Sequence, residues 1–421
     1  MYSKLIQPAR SIGQFAAVMS IVASASCATS PASLSGPLKA WATPEDCFSR
    51  EVTAAPANAE AMALACAGPE GGADPARSGI DRAAAYFNAA AALNVLAAQE
   101  TASDACDSPA SCHEFAIRLL EKSYLNQEDA FVPSARPGAL SLTNEHFKLR
   151  RALELAKALR GAAGFQSKDA SCGEPGECLA AADSALATYD LETLAADKSG
   201  MIAASACEAL GVVADINLSR GHEHEFSAIT NLRRIERLCP ASAAQASLEL
   251  AQIAFSQGEQ LRRSLEDSLA SKTSGTDSIH LAVSALSSYR DALHAPSLKL
   301  PAYRAIGSVS LQLAALEPSS APAHIGAAID AFNAAQQLSI DDAAEAHSED
   351  LTLLGLGYLQ LAEVQRPQTA TELDTLVNGA IRTRSQAVSL APTYSRWLAL
   401  GDALAQGGRN DDANAAYAAA L

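Results

Sequence analysis

Apolar and small residues recur at helical spacing through the last 28 residues, 394-YSRWLALGDALAQGGRNDDANAAYAAAL-421. Trp397, Leu400, Gly401 and Leu404 share one helical stripe, and Ala413, Tyr417 and Ala420 share a second. Between them, 407-GGRNDD-412 reads as a turn: glycine permits positive φ, and Asn410 or Asp411 is placed to cap the second helix. Two antiparallel helices approach closely where small side chains lie, so Gly401, Ala413 and Ala420 mark the contact, with Trp397, Leu400, Leu404 and Tyr417 around it.

The pattern returns upstream. Ala380, Ala387, Leu390 and Pro392 follow a first helix carrying Leu351, Leu354, Gly355 and Tyr358. Ala328, Phe332 and Ala335 follow Tyr303, Ile306 and Gly307. Earlier copies show Ala285, Tyr289 and Ala292; Ala228, Leu232 and Pro240 after Leu210 and Gly211; and Ala116 with Leu120. Helices at 80–100 and 146–162 fit more loosely, giving about seven or eight hairpins. Two segments, 265–278 and 364–375, read as insertions between helices.

This spacing resembles the tetratricopeptide repeat, a helix–turn–helix unit of about 34 residues. The resemblance covers most of 44–421 and is clearest at 202–421. It implies an all-α fold, an α-solenoid of tetratricopeptide-like helical hairpins forming one elongated domain, with first helices lining an extended binding face. The implied function is a protein–protein interaction scaffold or assembly factor holding a peptide or helix of a partner. The Lys, Arg and Asn set with which some family members clamp a C-terminal carboxylate is not in register. Ala416, Ala419 and Ala420 form a face without a successor, where a partner or a second copy is expected to dock.

Composition agrees with close-packed helices: 49% of residues are hydrophobic and only 5% aromatic. The net charge of −16 repels phosphate backbones and anionic lipids, which argues against nucleic acid and favours partners with basic or apolar segments. The basic pairs Arg150–Arg151, Arg233–Arg234 and Arg262–Arg263 read as solvated faces with local ion pairs.

Residues 1–26 read as an export signal: Lys4 and Arg10, then an apolar run from Ile12 to Ala25. No other stretch approaches about 18 apolar residues. Ala23-Ser24-Ala25 suits an ordinary signal peptidase. Alternatively, 24-SASC-27 resembles a bacterial lipobox, with Ser24 where that pattern usually places leucine; Cys27 would then carry lipid, and 27–43 would be a tether. Ala28 after it resembles sorting to the outer membrane. The expected location is therefore the periplasm, with or without a membrane anchor.

If Cys27 is set aside, eight of the nine cysteines remain: Cys47, Cys66, Cys106, Cys112, Cys172, Cys178, Cys207 and Cys239. An even number in an exported chain reads as a disulfide framework. The hairpin resemblance implies the pairs 47–66, 106–112, 172–178 and 207–239. Zinc is the competing reading, but five residues between the members of a pair exceed the usual two to four.

Candidate chemistry is sparse. His222 and His224 in 221-GHEHEF-226 supply two ligands at most, and a small-ligand or metal-binding protein centred there is the alternative reading. There is no G-x-S-x-G, P-loop or dinucleotide fingerprint, so neither enzymatic activity nor a cofactor is expected. The Pro/Gly-rich stretch 131-FVPSARPGALSLTN-144 reads as a connector between hairpins.

Overall fold

The structure is a computed structural model of the 421-residue chain. It describes residues 79–98, 106–123, 144–165, 172–197, 200–271, 275–339, 344–365 and 369–421, with helical Ala59 and Ala63. The expected signal, the tether, Cys27, Cys47, Cys66 and the connector at 131–143 lie outside the described residues.

The fold is all-α. Fifteen α-helices and no strand are formed among the described residues. The chain divides into two compact units, Met1–Ala243 and Ala244–Leu421. The first holds α1 (Gly79–Ala98), α2 (Pro109–Lys122), α3 (Asn144–Gly164), α4 (Pro175–Ala187), α5 (Leu191–Ala196), α6 (Met201–Ser219) and α7 (Glu225–Leu238). The second holds α8 (Ala243–Ala270, starting at the boundary), α9 (Gly275–Ala292), α10 (Lys299–Leu316), α11 (Ala321–Leu338), α12 (Ala344–Gln365), α13 (Ala370–Leu390), α14 (Tyr394–Gln406) and α15 (Asn410–Ala420). Within each unit neighbours in sequence are neighbours in space, the solenoid-like arrangement in which each hairpin covers the next.

Local chemistry sets the helix ends. Ser108 and Ser111 cap α2 reciprocally, Ser108 N–H donating to Ser111 Oγ at 2.9 Å and Ser111 N–H to Ser108 Oγ at 3.1 Å. Thr369 and Thr393 accept from the backbones of Glu372 and Arg396 to start α13 and α14. Gly408, at φ +72°, ends α14: its N–H donates to Ala405 and that of Arg409 to Leu404, a Schellman closure. Arg409 then stands at the N-cap of α15 without a side-chain cap, so neither Asn410 nor Asp411 caps it as expected. The closure uses up the turn before either residue is reached.

The second unit repeats one contact. A glycine on the first helix of each hairpin lies under a large side chain of the second: Gly258 under Tyr289, Gly307 under Phe332, Gly355 under Arg384, Gly401 under Tyr417. Each large residue has alanine four before and three after it, at 285 and 292, 328 and 335, 380 and 387, and 413 and 420. All but the last of these alanines are buried. A glycine there lets the axes approach, and the large side chain fills what remains. Ser348 Oγ donating to Ala387 O at 2.7 Å and Gly355 under Arg384 show that α12 and α13 run antiparallel, because one number rises as the other falls.

Several expectations change. Residues 265–270 are not an insertion but the end of the 28-residue α8, and Leu265 is fully buried, continuing the stripe of Leu261 against α9. Val364 lies in the last turn of α12 and Thr371–Thr375 in the first turns of α13, so that insertion is short. Gly211 meets no neighbour, so the α6–α7 hairpin lacks the glycine contact assigned to it. Ala416 faces the core, whereas Ala419 is exposed.

Candidate interaction surface

First helices also meet one another, and there the chemistry is polar. On α3, residues 146, 150, 157 and 160 fall on one face; on α6, residues 205, 208 and 215 do. His146 Nε2 lies 3.0 Å from Ser205 Oγ, Arg150 Nη1 donates to Glu208 Oε2 at 3.0 Å, and Arg160 Nη1 lies 3.2 Å from Asp215 Oδ2. The numbers climb together, so α3 and α6 run parallel, as successive first helices do. Asn94 of α1 joins the same face by donating to Glu154 Oε2 at 3.0 Å and Glu154 O at 2.9 Å.

Lys157 bridges Glu154 (2.8 Å) and Glu208. Burial disfavours its ammonium, but the two carboxylates outweigh that and hold its pKa above the ordinary lysine value. Burial likewise penalises the Glu208 carboxylate, and Lys157 and Arg150 reverse the effect, lowering its pKa. Asp215 goes the other way: burial raises its pKa and Arg160 offsets only part. The side chains of Lys157 and Glu208 nonetheless remain 29% and 44% exposed, so water reaches this row of charges.

The second unit shows the same division. Arg304 of α10 holds Asp350 of α12 through two contacts of 2.8 Å. Arg396 of α14 holds Glu345 of α12 at 2.7 Å, and Gln406 donates to Glu363 at 3.2 Å further along the same two helices. Ionic contacts thus join first helices, while hairpin interiors are mostly apolar, with Arg384 the exception.

The structure joins Cys106 to Cys112, Cys172 to Cys178 and Cys207 to Cys239, with Cα–Cα separations of 5.2, 5.1 and 5.8 Å. The first two tie short loops to the starts of α2 and α4. The third ties α6 to the end of α7. Three such pairs are in keeping with an oxidising, exported environment.

Of the terminal signature, Leu400, Gly401, Leu404 and Ala413 are buried, and Trp397, Tyr417 and Ala420 are partly so. Tyr417 also donates to Asp402 Oδ1 at 2.9 Å. His222 and His224 stand in an exposed 3₁₀ turn, where His222 Nδ1 lies 3.1 Å from Glu225 Oε2. Among the described residues no group of three or more His, Cys, Asp or Glu is placed to hold a metal ion. One basic pair is less solvated than expected: Arg151 Nε donates to Leu120 O at 2.9 Å, a carbonyl in the last turn of α2 that also accepts from Ser123, whereas Arg233 and Arg263 are exposed. Among the described residues one helix, over Ile202–Ser219, is long and apolar enough to cross a membrane. It is α6, packed within the first unit, stapled at Cys207 and ion-paired through Glu208 and Asp215.

No family model matches the chain, and no curated protein does. A solved structure, the nuclear import adaptor Nro1 of S. pombe, aligns with 79% of this chain and 99% of its own at 14% identity and a TM-score of 0.26, too low to carry an argument.

Proposed function

We propose that this chain is a protein–protein interaction scaffold or assembly factor of the bacterial cell envelope, built from tetratricopeptide-like hairpins. The observation that carries the reading is the fourfold recurrence of a first-helix glycine under a large second-helix residue framed by alanines. Within each unit, first helices stacked this way leave a free face suited to an extended peptide or a helix. That face is rich in charge, and with a net charge of −16 it favours partner segments that are basic or apolar. The signal-like residues 1–26 and the three cystines support export, and Cys27 is the proposed lipid anchor.

Photo-crosslinking in the native cell tests this. A photoreactive residue at Arg160 or Glu345, both on first helices, is expected to capture a discrete envelope protein. The same residue at Val283, exposed on a second helix, is expected to capture none. Absence of adducts from both first-helix positions, or equal adducts from Val283, overturns the reading.

A further inference from the structure

Glutamine recurs at one position of three successive first helices. Gln312 in α10, Gln360 in α12 and Gln406 in α14 each stand five residues after the glycine that meets the second helix. At about 100° per residue, that position lies about 140° around the helix from the glycine. Arg304 and Glu363, which meet the following first helix, lie about 60–80° around. Asp350 and Arg396, which meet the preceding one, lie about 220° around. The glutamines therefore fall between these two edges, on the face that neither the second helix nor a neighbouring first helix covers. In α8 the same position is Arg263, so the row covers three helices.

These carboxamides are largely uncommitted. Gln312 Oε1 is buried without a donor, and Gln360 makes no side-chain hydrogen bond among the described residues. Gln406 donates to Glu363 at 3.2 Å and keeps its carbonyl oxygen. The same face carries Glu349, Glu363 and Asp402, all exposed and without an ion-pair partner among the described residues. The cations of the three helices are Lys299, Arg304 and Arg396. Asp350 and Glu345 hold the two arginines, and Lys299 lies about 280° around, away from this face.

We infer that Gln312, Gln360 and Gln406 grip the backbone of an extended, basic segment of a partner protein, which rests on the scaffold function proposed above. A side-chain amide pairs with a main-chain amide by donating to its C=O and accepting from its N–H. In a helical segment those groups are already bonded to each other, whereas an extended chain offers them free. The row therefore selects an extended occupant over a helix. Glu349, Glu363 and Asp402 supply the charge that complements its lysine and arginine side chains. Docking also gives Gln312 Oε1 the donor it lacks.

The test is selection of a displayed library of random peptides on the full-length protein. A length of about ten residues, at about 3.3 Å per residue, crosses three helices whose axes lie about 8–10 Å apart. Selected peptides are expected to be rich in lysine and arginine and to tolerate proline. Their affinity is expected to fall about tenfold or more when Gln312, Gln360 and Gln406 are all replaced by alanine. Methylating their backbone nitrogens is expected to weaken binding by a similar factor. Alanine favours helices, so the triple variant is expected to keep the wild-type unfolding midpoint. Gln337→Ala, exposed on the second helix α11, is expected to leave binding unchanged. Peptides that bind the triple variant as tightly as wild type, peptides that turn helical on binding, or failure to select any peptide overturn the inference. The scaffold reading is decided separately by the crosslinks at Arg160 and Glu345, so it survives a failure here.

Discussion

Tyr289 occupies the space that any side chain at position 258 would need: a Cβ built on Gly258 would meet Tyr289 Cδ1 and Cε1 at 2.8 Å. Tyr289 is itself wholly buried, and its hydroxyl is held by Glu259. The equivalent clash at Gly307 is tighter, with Phe332 Cε1 at 2.5 Å. Alanine is the better helix former by about 1 kcal/mol, but forced ring displacement costs about 1–3 kcal/mol and more where the ring cannot turn away. Gly307→Ala is therefore expected to lower stability by about 1–3 kcal/mol in urea unfolding. Gly211→Ala is the control: nothing lies within 4 Å of its Cβ, so the same substitution is expected to stabilise by up to about 1 kcal/mol.

The three cystines are expected to contribute unequally. Cys207–Cys239 closes a sequence separation of 32, whereas Cys106–Cys112 and Cys172–Cys178 each close one of 6. Chain-entropy estimates give about 4 kcal/mol for the long closure and about 2 kcal/mol for each short one. Replacing Cys207 and Cys239 together by serine should lower the unfolding midpoint of the first unit more than removing either short bridge. Equal losses from all three would show that loop length does not set their contribution.

His113 makes the first unit sensitive to acid. Its ring lies against Gly161, where an added Cβ would meet Nε2 at 2.1 Å. Burial and the nearby Arg160 push its pKa down to about 4. Unfolded, the same imidazole titrates near about 6.5, so below that pH the unfolded chain binds the proton that the folded one refuses. Stability is unaffected above that value, falls as the pH drops through the window, and has lost about 3 kcal/mol once the pH reaches the folded pKa. His113→Phe is expected to flatten this slope in unfolding curves measured between about pH 7 and pH 4.

Arg304 and Asp350 differ in exposure, 31% against 1% for their side chains. Removing Asp350 leaves an arginine that water can reach, whereas removing Arg304 strands a buried carboxylate. Arg304→Leu is expected to cost about 3–5 kcal/mol and Asp350→Leu clearly less. The double variant should recover much of the loss, a coupling that a double-mutant cycle reads directly.

The hairpins were legible because their signal is local. Ala285, Tyr289 and Ala292, like Ala413, Tyr417 and Ala420, lie within two helical turns, and burial selects them directly. Arg384 was not, since arginine at helical spacing reads as a solvated position and only the stack shows it filling an aromatic place. Gly258 was hidden because α8 runs unbroken for 28 residues, and a loop reading of its last turns removed the first hairpin's partner helix. The charged face joining α3 to α6 has no short-range pattern. Arg150 and Glu208 are 58 residues apart, and periodicity tells which side of a helix is covered but not which distant helix comes to lie beside it.

The exported, disulfide-stapled reading meets its most direct test in the thiol state of the protein taken from its own cells. The measurement is alkylation before and after reduction, followed by peptide mass spectrometry. Linked peptides joining Cys106 to Cys112, Cys172 to Cys178 and Cys207 to Cys239, with none of the six alkylated before reduction, are the predicted result. Alkylation of all six before reduction would place the folded chain in a reducing compartment and contradict it.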